Sequence, residues 1–510
     1  MARPASPRGE DSVFSTERRS TGRLGVGGAW GFRLRLILAA GLLSGCEPRW
    51  DALPPPSASN DLVAVTHTGS TTFYQDAEGK YAGLEYDLVR LFAEYLGVKA
   101  KFVILSRSDQ VLPVLLEGKA HLAAAGLPIT PDPDPRLDFG EPYQTVRVQL
   151  VYQADGEGPK PNSVAELAGK RIAVAAGSGA IAVLSEAKRT VPDLTWSTIP
   201  VANSEAIFQR LLDGQADYVV AYSHEVDVAR NFHPGLSVAF DLGKALPLAW
   251  AFAKRGDSAL PRQSREFFRS IQQNGVLRRL SDQYYGHIKR LDQAGVSYFL
   301  TRMRTVLPRF KGLFQEAQEI TGIDWRFLAA VSFQESHWEP LATSPAGVRG
   351  LMMLTTDTAD RMGVTDRLDA RQSILAGARY FATIRDGLPE RVPEPDRTWM
   401  AVAAYNVGLA HLEDARVLAQ RLKLNPNAWT DLKSTLPLLA KSEYFTTLKH
   451  GFARGGEPVI MTENIRTYYD ILVRYEPPHQ PVFGSSERGW DLGEPRSSGL
   501  GLKARRDAVK

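Results

Sequence analysis

Glu335 is the residue in this sequence whose neighbours most favour acid–base chemistry. Asp324 is a candidate helix N-cap, and Leu328, Val331, Ser332 and Glu335 follow at the i, i+3, i+4, i+7 spacing of one helix face. A carboxyl group carried on an apolar stripe loses hydration of its charged form, so its pKa rises and it can stay protonated near neutral pH. That is the state needed to protonate a glycosidic oxygen. Ordinary glycoside hydrolysis uses a pair of carboxylates. The other acid in this stretch, Glu339, is followed by Pro340 and reads as a helix-end residue in solvent. Elsewhere, nine scattered histidines form no His-x-x-x-His pair, and one cysteine, Cys46, excludes an internal disulfide or a Cys-based metal centre. Neither metal nor cofactor is expected. The turn Gly177-Ser178-Gly179, after the apolar run Ile172–Ala176, offers backbone N–H groups to an anion, though a plain strand-to-helix turn has the same look.

These residues need two kinds of scaffold. From 61 to about 290, β-type runs such as Leu62–Thr66 and Lys101–Leu105 alternate with helical spacing such as Leu88, Leu91, Phe92, Tyr95 and Leu96, the pattern of an α/β domain. From about 300 to 480 the spacing is helical throughout. The chain has 510 residues, 44% of them hydrophobic and 23% charged, enough for about three folding units and unlike a disordered or polytopic membrane chain.

The apolar run Leu36–Gly45 follows Arg33 and Arg35 and ends at Cys46; it is short for a bilayer span but suits a secretory signal. Residues 47–60, with Pro54-Pro55-Pro56 and Ser-Ala-Ser, read as a tether. The tail 481–510 lacks periodicity and reads as disordered. The net charge of +4 is carried by the first 45 residues, with seven arginines and three acids; beyond them basic and acidic residues balance at 54 each. No electrostatic case for nucleic acid remains.

Three resemblances assemble these parts. Leu43-Ser-Gly-Cys46 is similar to a bacterial lipoprotein signal, which implies lipidation of Cys46 and cleavage before it. Glu47 rather than Asp after the cysteine implies the outer membrane, on its periplasmic face. Gly83-Leu-Glu-Tyr-Asp-Leu88, Gly126-Leu-Pro-Ile-Thr130, Leu137-Asp-Phe-Gly-Glu-Pro-Tyr143 and Leu212-Asp-Gly-Gln-Ala-Asp217 resemble the two-lobed periplasmic solute-binding domains of the polar amino acid type. The resemblance implies lobe one at 61–150 plus 247–290 and lobe two at 151–246. Its ligand residues carry over incompletely: Pro133 stands where the family places an arginine, and Tyr222 where it places an aspartate. Glu85, Arg136, Ser178 and Tyr222 are the candidates left to hold a muropeptide or amino acid.

Glu335-Ser-His-Trp-Glu through Gly350-Leu-Met-Met-Leu354, then Ala404-Tyr-Asn-Val-Gly408 and Glu463-Asn-Ile-Arg-Thr-Tyr-Tyr469, resemble the lysozyme-like lytic transglycosylase domain. Together the parts resemble the membrane-bound lytic murein transglycosylase F family. The resemblance implies a multidomain chain, an α/β two-lobed domain followed by a mainly α lysozyme-like domain, acting on peptidoglycan glycan strands. It makes Glu335 the acid/base, with Ser344, Gly350, Met352, Met353, Tyr405, Asn406 and Tyr468 around the substrate. Met353 stands where many relatives have glutamine. The N-terminal domain would sense wall fragments. Two other readings stay open at this stage: a hydrolytic muramidase using Glu339, and a non-catalytic wall-binding sensor.

Overall fold

The computed structural model describes residues 53–480, apart from 58–59, 76–79, 155–159, 202–204 and 255–258. Cys46, the segment 1–46 and the tail 481–510 lie outside the described residues.

The α/β region is built on two five-stranded sheets. In the first, Leu62–His67 pairs in parallel with Ala100–Leu105, and the helix Leu84–Leu96 makes the crossover. Leu122–Ala123, Ala251–Ala253 and Leu137–Phe139 complete it. Five of the six residues of Leu62–His67 are buried, as expected of a parallel strand covered on both faces. The second sheet has the order Leu236–Leu248, Gln144–Gln153, Tyr218–Tyr222, Ile172–Ala175, Ser197–Ile199. Gln144–Gln153 lies wholly in this second sheet, paired with Leu236–Leu248 from Gln153 to Gln144. The chain therefore enters lobe two before Gln144, not after residue 150 as the sequence boundary had it. The return to lobe one follows Leu248, close to the expected position.

From Gln293 onward the chain is helical, so the second domain begins before residue 300, within the helix Gln293–Thr305. At its centre is the helix Trp325–Ser336, opened by Asp324, whose side chain accepts from the Arg326 N–H at 2.8 Å. Every residue from Trp325 to Phe333 is buried, so this helix hides all its faces rather than the single stripe read from the spacing. Such a helix belongs in the middle of a bundle. The helices Lys311–Thr321 and Gly456–Tyr475 pack against it.

The two domains are joined by polar contacts, several with at least one buried partner. The helix Val276–Tyr285 meets Trp429–Thr435 and the final helix Gly456–Tyr475. Asp282 pairs with Lys433, and Arg278 with Asp431. Arg466 donates to the carbonyls of Asp282 and Gln283 at 2.9 Å each. His287 meets Asp470 at 2.5 Å, and the Thr467 hydroxyl donates to the His287 carbonyl at 3.1 Å.

Candidate active site

Glu335 occupies the last turn of the central helix, partly open to solvent and otherwise enclosed. Burial pushes its carboxyl up to about 8. The negative end of the helix dipole acts in the same direction. Immediately beyond, His337 and Trp338 hold φ of 52° and 59°, a left-handed conformation that disfavours side-chain-bearing residues, and Met353 opposite holds 46°. His337 and Trp338, two and three residues past the carboxyl, mark a place where the backbone is held against its preference by its surroundings.

The loop facing Glu335 is fixed by the same helix. The hydroxyls of Ser332 and Ser336 both donate to the Leu351 carbonyl, at 3.0 and 2.9 Å. Gly350 has φ of 81°, and a Cβ there would lie 1.9 Å from the Arg367 carbonyl oxygen, so no other residue fits without moving that backbone. Ser344 accepts this frame through its backbone, donating from its N–H to the Val348 carbonyl at 3.0 Å, while its buried hydroxyl has no hydrogen-bond partner among the described residues. Met353 is half-buried in the loop.

Met352 does not line the cleft as the resemblance implied. Its side chain is fully buried beside Gly377, where a Cβ would come within 2.6 Å of it, so it packs the core instead of lining the cleft. What it contributes is a carbonyl that accepts from the Tyr405 hydroxyl at 2.8 Å. Tyr405 lies close enough to feel the charge of Glu335; burial, then that charge, holds its phenol well above its ordinary value. Asn406, next along, is exposed. Tyr468 stacks on Phe299 at 4.6 Å and meets Phe333 edge-on at 4.8 Å, so its ring is anchored in the core close to the Glu335 helix. Burial raises its phenol to about 12.

Glu339 is paired with Arg302 at 2.5 Å with its side chain 58% exposed, which leaves it a surface residue and not a second site acid. Arg302 also donates to the His337 carbonyl at 2.7 Å, so the pair braces the end of the Glu335 helix. Sequence reasoning missed Arg302, and also Asn464, which donates to the Gln334 side chain at 3.1 Å. The signal was present in Glu463-Asn-Ile-Arg, but its spacing alone did not say which side chain turns toward the Glu335 helix.

A family model described as Transglycosylase SLT domain matches residues 312–426, and one described as Bacterial extracellular solute-binding proteins, family 3, matches 62–287. A membrane-bound lytic murein transglycosylase F of Methylobacillus flagellatus is 49% identical over 457 residues, covering 89% of this chain and 96% of its own. Its counterpart in Nitrosospira multiformis is 49% identical over 469 residues, covering 92% and 96%. The chain belongs to the membrane-bound lytic murein transglycosylase F family. In this lytic murein transglycosylase F chain the SLT match includes Glu335 and Tyr405 but stops short of Tyr468.

The candidate ligand residues of the solute-binding domain separate into groups. Glu85 is buried, its Oε1 accepting from the Gly126 N–H at 2.7 Å and from the Tyr143 hydroxyl, its Oε2 from the Trp250 indole at 2.8 Å. Burial outweighs these bonds and raises its pKa. Both its oxygens are occupied by its own lobe. Arg136 is exposed and forks onto Asp134 at 3.0 and 2.6 Å. Ser178 and Tyr222 do meet, hydroxyl to hydroxyl, at 3.1 Å. Around them the lobes touch: the Ser108 hydroxyl donates to the Ala176 carbonyl at 3.2 Å, and a Cβ on Gly179 would lie 2.5 Å from Pro128. The turn's N–H groups are partly engaged, Ser178 N–H with the Ala175 carbonyl and Ala180 N–H with the Ser178 hydroxyl.

Proposed function

We propose that Glu335 cleaves the β-1,4 bond between N-acetylmuramic acid and N-acetylglucosamine in peptidoglycan and closes a 1,6-anhydro ring on the muramic acid. The broader statement follows from family membership: the chain is a peptidoglycan lytic transglycosylase. The observation that supports the finer reading is a single enclosed carboxyl with its pKa raised to about 8, close to the buried phenol of Tyr405.

Protonated Glu335 donates to the glycosidic oxygen as the bond to C1 breaks. The sugar's own acetamido oxygen stabilises the cationic centre. Glu335, now a carboxylate, takes the proton from the 6-hydroxyl of the same sugar while that oxygen bonds to C1. One group thus serves as acid and then base, and no water is consumed. An internal nucleophile is already in place, which removes the entropic cost of recruiting one and the need for a second carboxylate. Ser344, Met353, Tyr405, Asn406 and Tyr468 are the residues that would meet the sugars. Digestion of sacculi should release muropeptides lighter by one water than hydrolytic products. Reducing muramic ends instead would turn the reading into a hydrolytic one, which the exposed, Arg302-bound Glu339 does not favour.

Cys46 is the lipid attachment point in this proposal, with Glu47 directing the protein to the outer membrane. No helix among the described residues is long and apolar enough to cross a membrane. Cys46→Ala should move the protein from the membrane fraction of broken cells to the soluble fraction. Retention of the variant in the outer-membrane fraction would assign the attachment to another part of the chain. A wall-derived ligand between the lobes is the regulatory arm of the same reading, with Ser178 and Tyr222 at hand to meet it.

A further inference from the structure

The helix Gln293–Thr305 lies between the two matched stretches, 62–287 and 312–426, so neither gives it a part in the reaction. It nevertheless covers the chain just beyond Glu335. Tyr298 meets the His337 ring edge-on at 5.6 Å, and Phe299 packs on Trp338 at 5.6 Å and on Phe333 at 4.6 Å. One turn after Tyr298, Arg302 sends Nη2 to the His337 carbonyl at 2.7 Å and to the Glu339 carboxylate at 2.5 Å. The Arg302 side chain is only 19% exposed, so packing along its stem fixes where the guanidinium can reach.

The carbonyl that Arg302 holds belongs to the peptide between His337 and Trp338, the two left-handed residues. Rotating that one peptide plane alters ψ of His337 and φ of Trp338 together, and it is the simplest move by which Trp338 would leave a conformation that side-chain-bearing residues disfavour. The Trp338 ring cannot follow such a move, because it is fully buried and its indole N–H donates to the Ala329 carbonyl at 2.8 Å. The change would fall instead on the preceding turn. That turn is closed by the His337 N–H on the Phe333 carbonyl at 2.8 Å and by the Glu339 N–H on the Ser336 carbonyl at 2.9 Å, and it carries Glu335.

We propose that Arg302 is a positioning residue for the lytic reaction, holding the His337–Trp338 peptide and through it the Glu335 carboxyl in the place from which it meets the glycosidic oxygen. The contact that matters is the bond to the carbonyl. The ion pair has its other partner, Glu339, 58% exposed, and such pairs contribute little. The inference rests on Glu335 being the acid and base: a reacting group displaced by about 1 Å can lose on the order of a hundredfold in rate while the substrate still binds.

The test is steady-state kinetics of the full chain on soluble glycan chains, with the folded fraction of each variant measured by circular dichroism. Arg302→Met, which keeps most of the stem and removes both bonds, should lower kcat by at least about tenfold with KM within about twofold of the parent. Arg302→Lys, which keeps a charged donor on a shorter reach, should fall between the two. Glu339→Gln, which leaves the carbonyl bond in place, should lose less than about threefold. Parental kcat in folded Arg302→Met, a loss confined to KM, or a lysine variant as poor as the methionine one would overturn the proposal. So would a loss in Glu339→Gln equal to that in Arg302→Met, which would move the effect to the carboxylate. If Arg302→Met does not fold, Arg302→Lys settles the matter: reduced kcat at unchanged KM upholds the proposal, and parental kcat overturns it by leaving Arg302 a part in folding alone. Failure of the Glu335 reading shows separately, as undiminished turnover in Glu335→Gln.

Discussion

Glu335→Gln should lower the release of anhydro-muropeptides from sacculi by roughly 10²- to 10⁴-fold, the range of a positioned general acid and base. The amide keeps the shape of the side chain and removes the proton that the leaving oxygen needs. Folding should survive. The carboxyl of Glu335 stands at about 8 in the folded chain, above its ordinary value, because burial penalises the charged form. A group raised in this way contributes stability at pH values below its unfolded pKa and loses it as pH rises through the folded one. The unmutated protein therefore carries an unfavourable ionisation tendency at neutral and alkaline pH that glutamine does not have. The variant should melt no lower than its parent at pH 7 and higher at pH 8.5, while its activity is gone. A variant that melts lower and loses activity in proportion would point to a structural role instead.

The same value fixes the pH profile. Since the acid form begins the reaction, kcat/KM on soluble glycan chains should be level through pH 6 to 7 and fall about tenfold per unit well above pH 8. A midpoint near 4.5 would mean that Glu335 is solvated in the free enzyme.

Much of this site was legible because it is local. Asp324 as cap, Leu328, Val331 and Ser332 as inward positions and Glu335 one turn on are all statements about 3.6-residue spacing, and each holds in the structure. Spacing did not tell that the helix is buried on every side, since that depends on the helices Lys311–Thr321 and Gly456–Tyr475 arriving from elsewhere in the chain. Met352 shows the same limit. It sits in a motif beside a catalytic residue, yet the niche that takes its side chain exists because Gly377, on another helix, has no Cβ. Glu85 looked available for a ligand because its three donors, Gly126, Tyr143 and Trp250, are 41 to 165 residues away. The lobe boundary erred for a related reason. Gln144–Gln153 has the alternation of a strand in either sheet, and only its pairing with Leu236–Leu248 assigns it.

Arg466→Leu should destabilise the folded chain by about 3–5 kcal/mol, the cost of removing one partner from a buried charge cluster. In the sequence, Glu463 and Arg466 belong to a motif shared with an enzyme family, and a catalytic part could be read into them. Their contacts give another role. Arg466 is 3% exposed and Glu463 5%, so neither charge can turn to water if the other is lost. Arg466 reaches both Glu463 oxygens at 3.0 and 3.2 Å, and its other nitrogen holds the carbonyls of Asp282 and Gln283 in the solute-binding domain. Burial by itself would push the Glu463 carboxyl up; Arg466, then Lys433 and the Trp429 indole, bring it below its ordinary value. A carboxylate lowered in this way contributes stability above its unfolded pKa of about 4.3 and loses it as pH falls through the folded value. In Arg466→Leu the chief opposing charge is gone, burial regains weight, and Glu463 accepts a proton more readily than before. The loss measured by denaturant unfolding should accordingly be largest near pH 7 and shrink toward pH 4. Adding Glu463→Gln to the variant should recover a substantial part of the loss at pH 7, because the residue left behind no longer carries a charge. A loss below about 1 kcal/mol, or one that is the same at both pH values, would mean that water or a neighbouring side chain takes over from Arg466 and that the two domains are held together mainly by their other contacts.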